Sequence, residues 1–170
     1  LEHSIGGALI IWNVTKNKKQ TIAGLFHDIS TPVFKHCIDF MNGDHETQES
    51  TEELTTYMIK NSKEIMELLE RDNIKVDEVD DYHIYPIADN DTPKLSADRL
   101  EYTFTNGLYF KEVWNVQKIK EIYSNIEIQI NEDNIQELGF KDKNIAEEFI
   151  VGASQLWPLW VSNEDKLAMQ

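Results

Sequence analysis

The chain has 170 residues and a net charge of −15, with 31 acidic side chains against 16 basic ones. So acidic a surface excludes a broad nucleic-acid-binding face, which needs clustered Lys and Arg, and it excludes docking on anionic membrane. The single cysteine, Cys37, excludes an internal disulfide and a cysteine-based zinc site, and the length suits one domain with a real core.

Residues 3–14 carry apolar side chains at Ile5, Ala8, Leu9, Ile11 and Trp12, which predicts a mostly buried helix. A polar break over 15–19 follows. A second helix is expected over 20–29, with Ile22, Leu25, Phe26 and Ile29 three and four apart. Pro32 stops it, because proline cannot continue a helix and biases Thr31 to extended geometry. A short helix over 34–41 closes at Asn42-Gly43. Two scaffold helices are expected over 50–61 and 62–72, the first opening on Ser50-Thr51-Glu52-Glu53. Residues 74–81 are acidic, and 82–93 are irregular with two prolines. A helix over 95–105 would set Leu95, Asp98, Tyr102 and Thr105 roughly on one face. Residues 115–123 read as helix. Ile126 to Asn131 alternates with period two, a short strand or extended turn, yet it runs into a helical-looking stretch over 132–138. A helix over 142–160 is expected, capped by Asp142 and interrupted at Pro158.

The whole reads as all-α and as one domain, with 1–110 as the core and 111–170 as a peripheral, mostly helical extension. The longest apolar run, 8–12, is far too short to span a bilayer. A cytoplasmic protein fits these features. The start at Leu1-Glu2-His3, without an initiator Met, reads as part of something longer.

The adjacent pair His27-Asp28, at the end of an apolar run, offers two metal ligands of different character. With His3 and Asp98 it would make a mixed nitrogen and oxygen site suited to Mn, Fe, Co, Ni or Zn more than to a purely hard Mg site. Neighbours on a helix point about 100° apart, so both reach one ion only if it lies between their directions. The bland alternative is a satisfied core histidine beside a helix-terminal carboxylate.

The blocks Glu2-His3-Ser4-Ile5-Gly6, Gly24-Leu25-Phe26-His27-Asp28 and Asp98-Arg99-Leu100-Glu101-Tyr102 resemble those of the HD-domain phosphohydrolase superfamily. Pro32-Val33-Phe34-Lys35-His36 and His45-Glu46-Thr47-Gln48-Glu49-Ser50 are similar to blocks of its deoxynucleoside triphosphate triphosphohydrolase branch. The five blocks stand in the right order over residues 1–110. The resemblance implies an HD-domain helical core and one divalent metal ion (Mn, Fe, Co, Ni, Zn or Mg) held by His3, His27, Asp28 and Asp98. It implies a phosphohydrolase acting on a nucleotide or small phosphorylated metabolite, in which a metal-activated water attacks phosphorus. His45 and Glu46 would be the catalytic pair that assists proton transfer. Arg99 and Tyr102 would meet substrate phosphate, Thr31 would stand at the phosphate site, and His36 would line the pocket.

Two departures bear on substrate. The branch places a second histidine where Thr31 stands, and Thr cannot carry a charge or shuttle protons as imidazole does. Its Arg and Asp after the Asp98 block are here Thr105 and Asn106. A catalytically reduced HD module that binds a ligand or regulates is therefore the second expectation. A weaker third is action on cyclic dinucleotides or alarmones, for which His36, His45 and His83 are the spare histidines. His83 otherwise reads as a packed loop histidine. The partner expected is a small phosphorylated substrate, with self-association left open.

Overall fold

The computed structural model describes residues 1–31, 54–91 and 93–158. They fall into two compact units, Leu1–Ile84 and a second beginning at Tyr85. Most described residues are helical, in seven α-helices. The expectation of an all-α chain needs one correction, a small two-stranded sheet in the second unit. The helix expected over 34–41, the opening of the one over 50–61 and the end of the one over 142–160 lie outside the described residues.

In the first unit, α1 (Glu2–Thr15) and α2 (Lys18–Phe26) form a helical hairpin. Two residues make the turn. Lys16 takes the left-handed conformation (φ 53°) and donates its N–H to the Trp12 carbonyl. Asn17 caps α2, its side chain accepting from the Gln20 N–H at 3.1 Å. Ile11 and Ala23 are buried at the seam. At Gly24 a Cβ would overlap the end of the Ile11 side chain, so glycine leaves room for Ile11 in the seam. Because the turn is so short, the start of α1 and the end of α2 lie at the same end of the hairpin.

The second helix stops at Phe26, three residues earlier than its apolar spacing predicts. The chain continues in tight turns, Ile29 N–H bonding the Phe26 carbonyl and Thr31 N–H the Asp28 carbonyl. The buried hydroxyls of Ser30 and Thr55 meet at 2.9 Å and tie this turn to α3 (Thr55–Asn61). Ser62 breaks the chain and caps α4 (Lys63–Arg71), accepting from the Ile65 N–H. Two 3₁₀ turns follow, Val76–Glu78 and Tyr82–Ile84, both packed on α2. Ile59, Leu69 and Val79 supply core.

In the second unit, α5 (Ala97–Tyr109) is capped by Ser96, which accepts the Arg99 N–H. It packs on α7 (Lys143–Ser154), as does α6 (Val116–Ser124). The core is aromatic. Trp114 stacks on Phe149 with centroids 5.6 Å apart and planes 4° from parallel, and Phe104 meets both edge-on. At Gly152 a Cβ would strike the Trp114 ring, so that glycine makes room for the indole. Strands β1 (Ile126–Ile130) and β2 (Gln136–Phe140) pair antiparallel, Ile126 facing Phe140 and Ile128 facing Leu138. The helix expected over 132–138 is thus a hairpin turn and a strand. Asn131 explains the difference. Its side-chain oxygen accepts from both the Asp133 and Ile135 N–H groups, which closes a turn at the start of the stretch that looked helical. Among the described residues no helix is long and apolar enough to cross a membrane.

Candidate metal centre

His3 stands on the first turn of α1, and His27 and Asp28 stand just past the end of α2. The hairpin brings the three together: one ligand atom from each lies within 4.8 Å of the other two. The His3 and His27 rings meet edge to face with centroids 5.2 Å apart. His27 keeps helical dihedrals (φ −52°, ψ −36°), and its Nε2 lies 3.2 Å from Asp28 Oδ2.

Hydrogen bonding fixes which face His27 presents. Its Nδ1 lies 2.7 Å from the Gly24 carbonyl oxygen, three residues back. Only a ring N–H can donate to that carbonyl, so the proton sits on Nδ1 and the lone pair of the neutral ring is on Nε2. That lone pair faces a carboxylate. Two acceptors at 3.2 Å repel unless positive charge lies on or between them, either an added proton or a cation. Burial by itself would raise the Asp28 carboxyl. The hydrogen bond and charge of His27, the Thr31 hydroxyl and the charge of His3 outweigh it together and hold that carboxyl well below the usual carboxylate range. Asp28 is therefore an anion at neutral pH. Two imidazoles and one ionised carboxylate, with an outer backbone partner setting one tautomer, fit a divalent transition metal.

Thr31 belongs to this cluster. Its hydroxyl donates to Asp28 Oδ1 at 2.9 Å, leaving Oδ2 toward His27. Tyr82 belongs to it as well, its ring 5.0 Å from the His27 ring centroid, with His83 packed against it at 4.3 Å. Sequence reading passed over Tyr82. The signal available was an aromatic beside a histidine in the irregular stretch, and nothing local tied it to a position so far back in the chain.

Asp98, Arg99 and Tyr102 lie in the second unit. Asp98 is in the first turn of α5, its backbone N–H bonded to the Ala88 carbonyl at 3.2 Å. Arg99 is held by the loop before that helix. Its guanidinium donates to the Asn90 side chain and carbonyl and to the Lys94 carbonyl, and it pairs with Asp89 Oδ1 at 3.3 Å. Burial raises the Tyr102 hydroxyl pKa, with Asp98 adding to the rise and Arg99 opposing it. Thr105 donates to Glu101 at 2.8 Å. His36, His45 and Glu46 lie outside the described residues.

The chain is 31% identical over 103 residues to the uncharacterized protein YdhJ of Bacillus subtilis, an alignment that covers 60% of this chain and 31% of that protein. It is 26% identical over 110 residues to the metal-dependent phosphohydrolase cns2 of Cordyceps militaris, covering 65% of this chain and 31% of that protein. The chain thus spans about a third of the length of the curated relatives it matches. No family model matches it, and no solved structure matches it.

Proposed function

We propose that this chain carries the metal-binding core of an HD-type, metal-dependent phosphohydrolase acting on a nucleotide or other small phosphorylated metabolite. The observation that carries the proposal is the convergence of His3, His27 and Asp28 ligand atoms within 4.8 Å, with the His27 tautomer set by the Gly24 carbonyl. A distant relative named as a metal-dependent phosphohydrolase supports the class. In this reading Asp98 is the fourth ligand. A bound divalent cation supplies charge stabilisation at phosphoryl oxygen and acidifies water.

The protein's own groups do the rest. Thr31 holds one carboxylate oxygen of Asp28 so that the other faces the ion. His45, oriented by Glu46, moves a proton to or from the reacting oxygens at near-neutral pH. Arg99 and Tyr102 serve phosphate, and His36 lines the pocket; the substrate branch and these roles come from the sequence resemblance. The test is metal analysis of the purified full-length protein together with phosphate release from a panel of nucleotides and sugar phosphates with Mn, Co or Ni added. Metal uptake with release that is lost in His45→Ala is the expected result. No metal and no release from any compound would remove the proposal.

One set of contacts favours a second reading, a reduced HD module that binds a ligand without turning it over. Thr31, standing where the related branch has a histidine, gives its hydroxyl to Asp28, and Arg99 gives its donors to its own loop. Metal uptake with ligand affinity unchanged by His45→Ala, and no turnover, would favour it.

A further inference from the structure

We infer that Tyr82 is a positioning residue for the metal centre, its ring fixing the plane of His27, and that Asp81 and His83 form the clamp that holds Tyr82 there. The inference rests on the reading of His27 as a ligand. A metal-bound imidazole must present its lone pair along the bond to the ion, so the ring needs two constraints. One is the Nδ1 contact to Gly24, which sets the rotation in the ring plane. The other comes from Tyr82, whose ring centroid lies 5.0 Å away with the planes tilted by 40°. His3 packs against the same ring at 5.2 Å with an interplanar angle of 80°, so two rings bear on His27.

Tyr82 in turn is not left to itself. His83 packs on it at 4.3 Å. One oxygen of Asp81 fixes His83 twice, accepting its backbone N–H at 2.9 Å and facing its Nδ1 at 3.0 Å. A single carboxylate so sets both the 3₁₀ turn Tyr82–Ile84 and the ring that it presents. That turn packs on α2, the helix that delivers His27. Asp81 and His83 are largely exposed, with side chains 52% and 41% accessible.

The test compares cobalt(II) binding by the full chain in wild type, Tyr82→Phe, Tyr82→Leu and Asp81→Ala, read by visible absorption and by competition with a chelating dye. Tyr82→Phe keeps the ring and stays well inside the roughly tenfold loss that marks an outer partner. Tyr82→Leu keeps apolar volume but loses the ring face, and binds about 10- to 100-fold more weakly, the range for outer partners of metal ligands. Its absorption bands also change as the ligand geometry relaxes. In the metal-free protein, the His27 Cε1 proton resonance shifts in Tyr82→Leu and not in Tyr82→Phe. Asp81→Ala, on the surface, removes the acceptor that holds His83, gives a smaller loss in the same direction and covers the case in which Tyr82→Leu fails to fold.

Wild-type affinity and an unmoved His27 resonance in Tyr82→Leu, or an unchanged Asp81→Ala where the leucine variant does not fold, would overturn the inference and leave the metal centre standing. A wild-type protein that takes up no cobalt would remove the metal centre and this inference together.

Discussion

The two units handle their polar groups in opposite ways. In the second, the core is Trp114 stacked on Phe149 and flanked by Phe104, and its half-buried cation is enclosed: Arg99 is surrounded by Asn90, Lys94 and Asp89. In the first, the ionised Asp28 carboxylate lies 3.2 Å from Nε2 of a His27 side chain that is only 7% exposed, with His3 beside them. Ionisable groups shifted and gathered in that way are commoner at functional sites than in plain scaffold. The contrast separates an aromatic core from a polar cluster able to hold a cation.

The largest effect that would sharpen the comparison is on metal affinity. Removing a ligand in His3→Ala should cost more than the roughly 10–100-fold that an outer partner contributes, while leaving unfolding by urea nearly unchanged. A variant that binds cobalt as tightly as wild type would break the distinction at once. The second unit should behave in the reverse way. Gly152→Ala drives a methyl group into the Trp114 ring, and overpacking of this kind costs about 1–3 kcal/mol of folding free energy. Chemical denaturation followed by tryptophan fluorescence measures it.

Those two regions were not equally legible in the sequence. His3, His27 and Asp28 stood out as residue types and through the resemblance to HD-domain blocks. Their convergence did not, because it depends on the hairpin that packs α1 on α2, a tertiary contact that no local spacing reports. Tyr82 reaches His27 only through tertiary packing of an irregular turn, which no local pattern reports. Arg99 read as a phosphate contact, and its enclosure by the loop before α5 depends on Asn90 and Lys94, whose partners no spacing announces. The strand Gln136–Phe140 was hidden because Asn131 is as good a turn former as a helix cap. Helix α5 was legible as an element, since its apolar positions keep a helical period, but it starts two residues later than expected, at the Ser96 cap, and runs four further, to Tyr109.

Smaller effects test the support of Asp28. Thr31→Val removes the hydroxyl that holds Oδ1 and should lower metal affinity by about tenfold, within the range for outer partners, whereas Thr31→Ser restores it. Equal affinity in all three proteins would mean that Asp28 is oriented by other groups. The smallest effect is on stability against pH in the metal-free protein. The folded carboxyl of Asp28 lies below its unfolded value, so its contribution is fully present above about pH 4 and is lost as pH falls toward the folded pKa. The stability gap between wild type and Asp28→Asn should therefore narrow as urea titrations move from about pH 6 to about pH 3. A gap that widens on acidification would contradict the sign.

Elemental analysis of the full-length protein after incubation with cobalt(II) and desalting, in wild type and in His27→Ala, tests the centre most directly. One ion per chain in wild type and none in the variant is the predicted result. Cobalt retained by His27→Ala, or none taken up by wild type, would contradict a metal centre built on His3, His27 and Asp28.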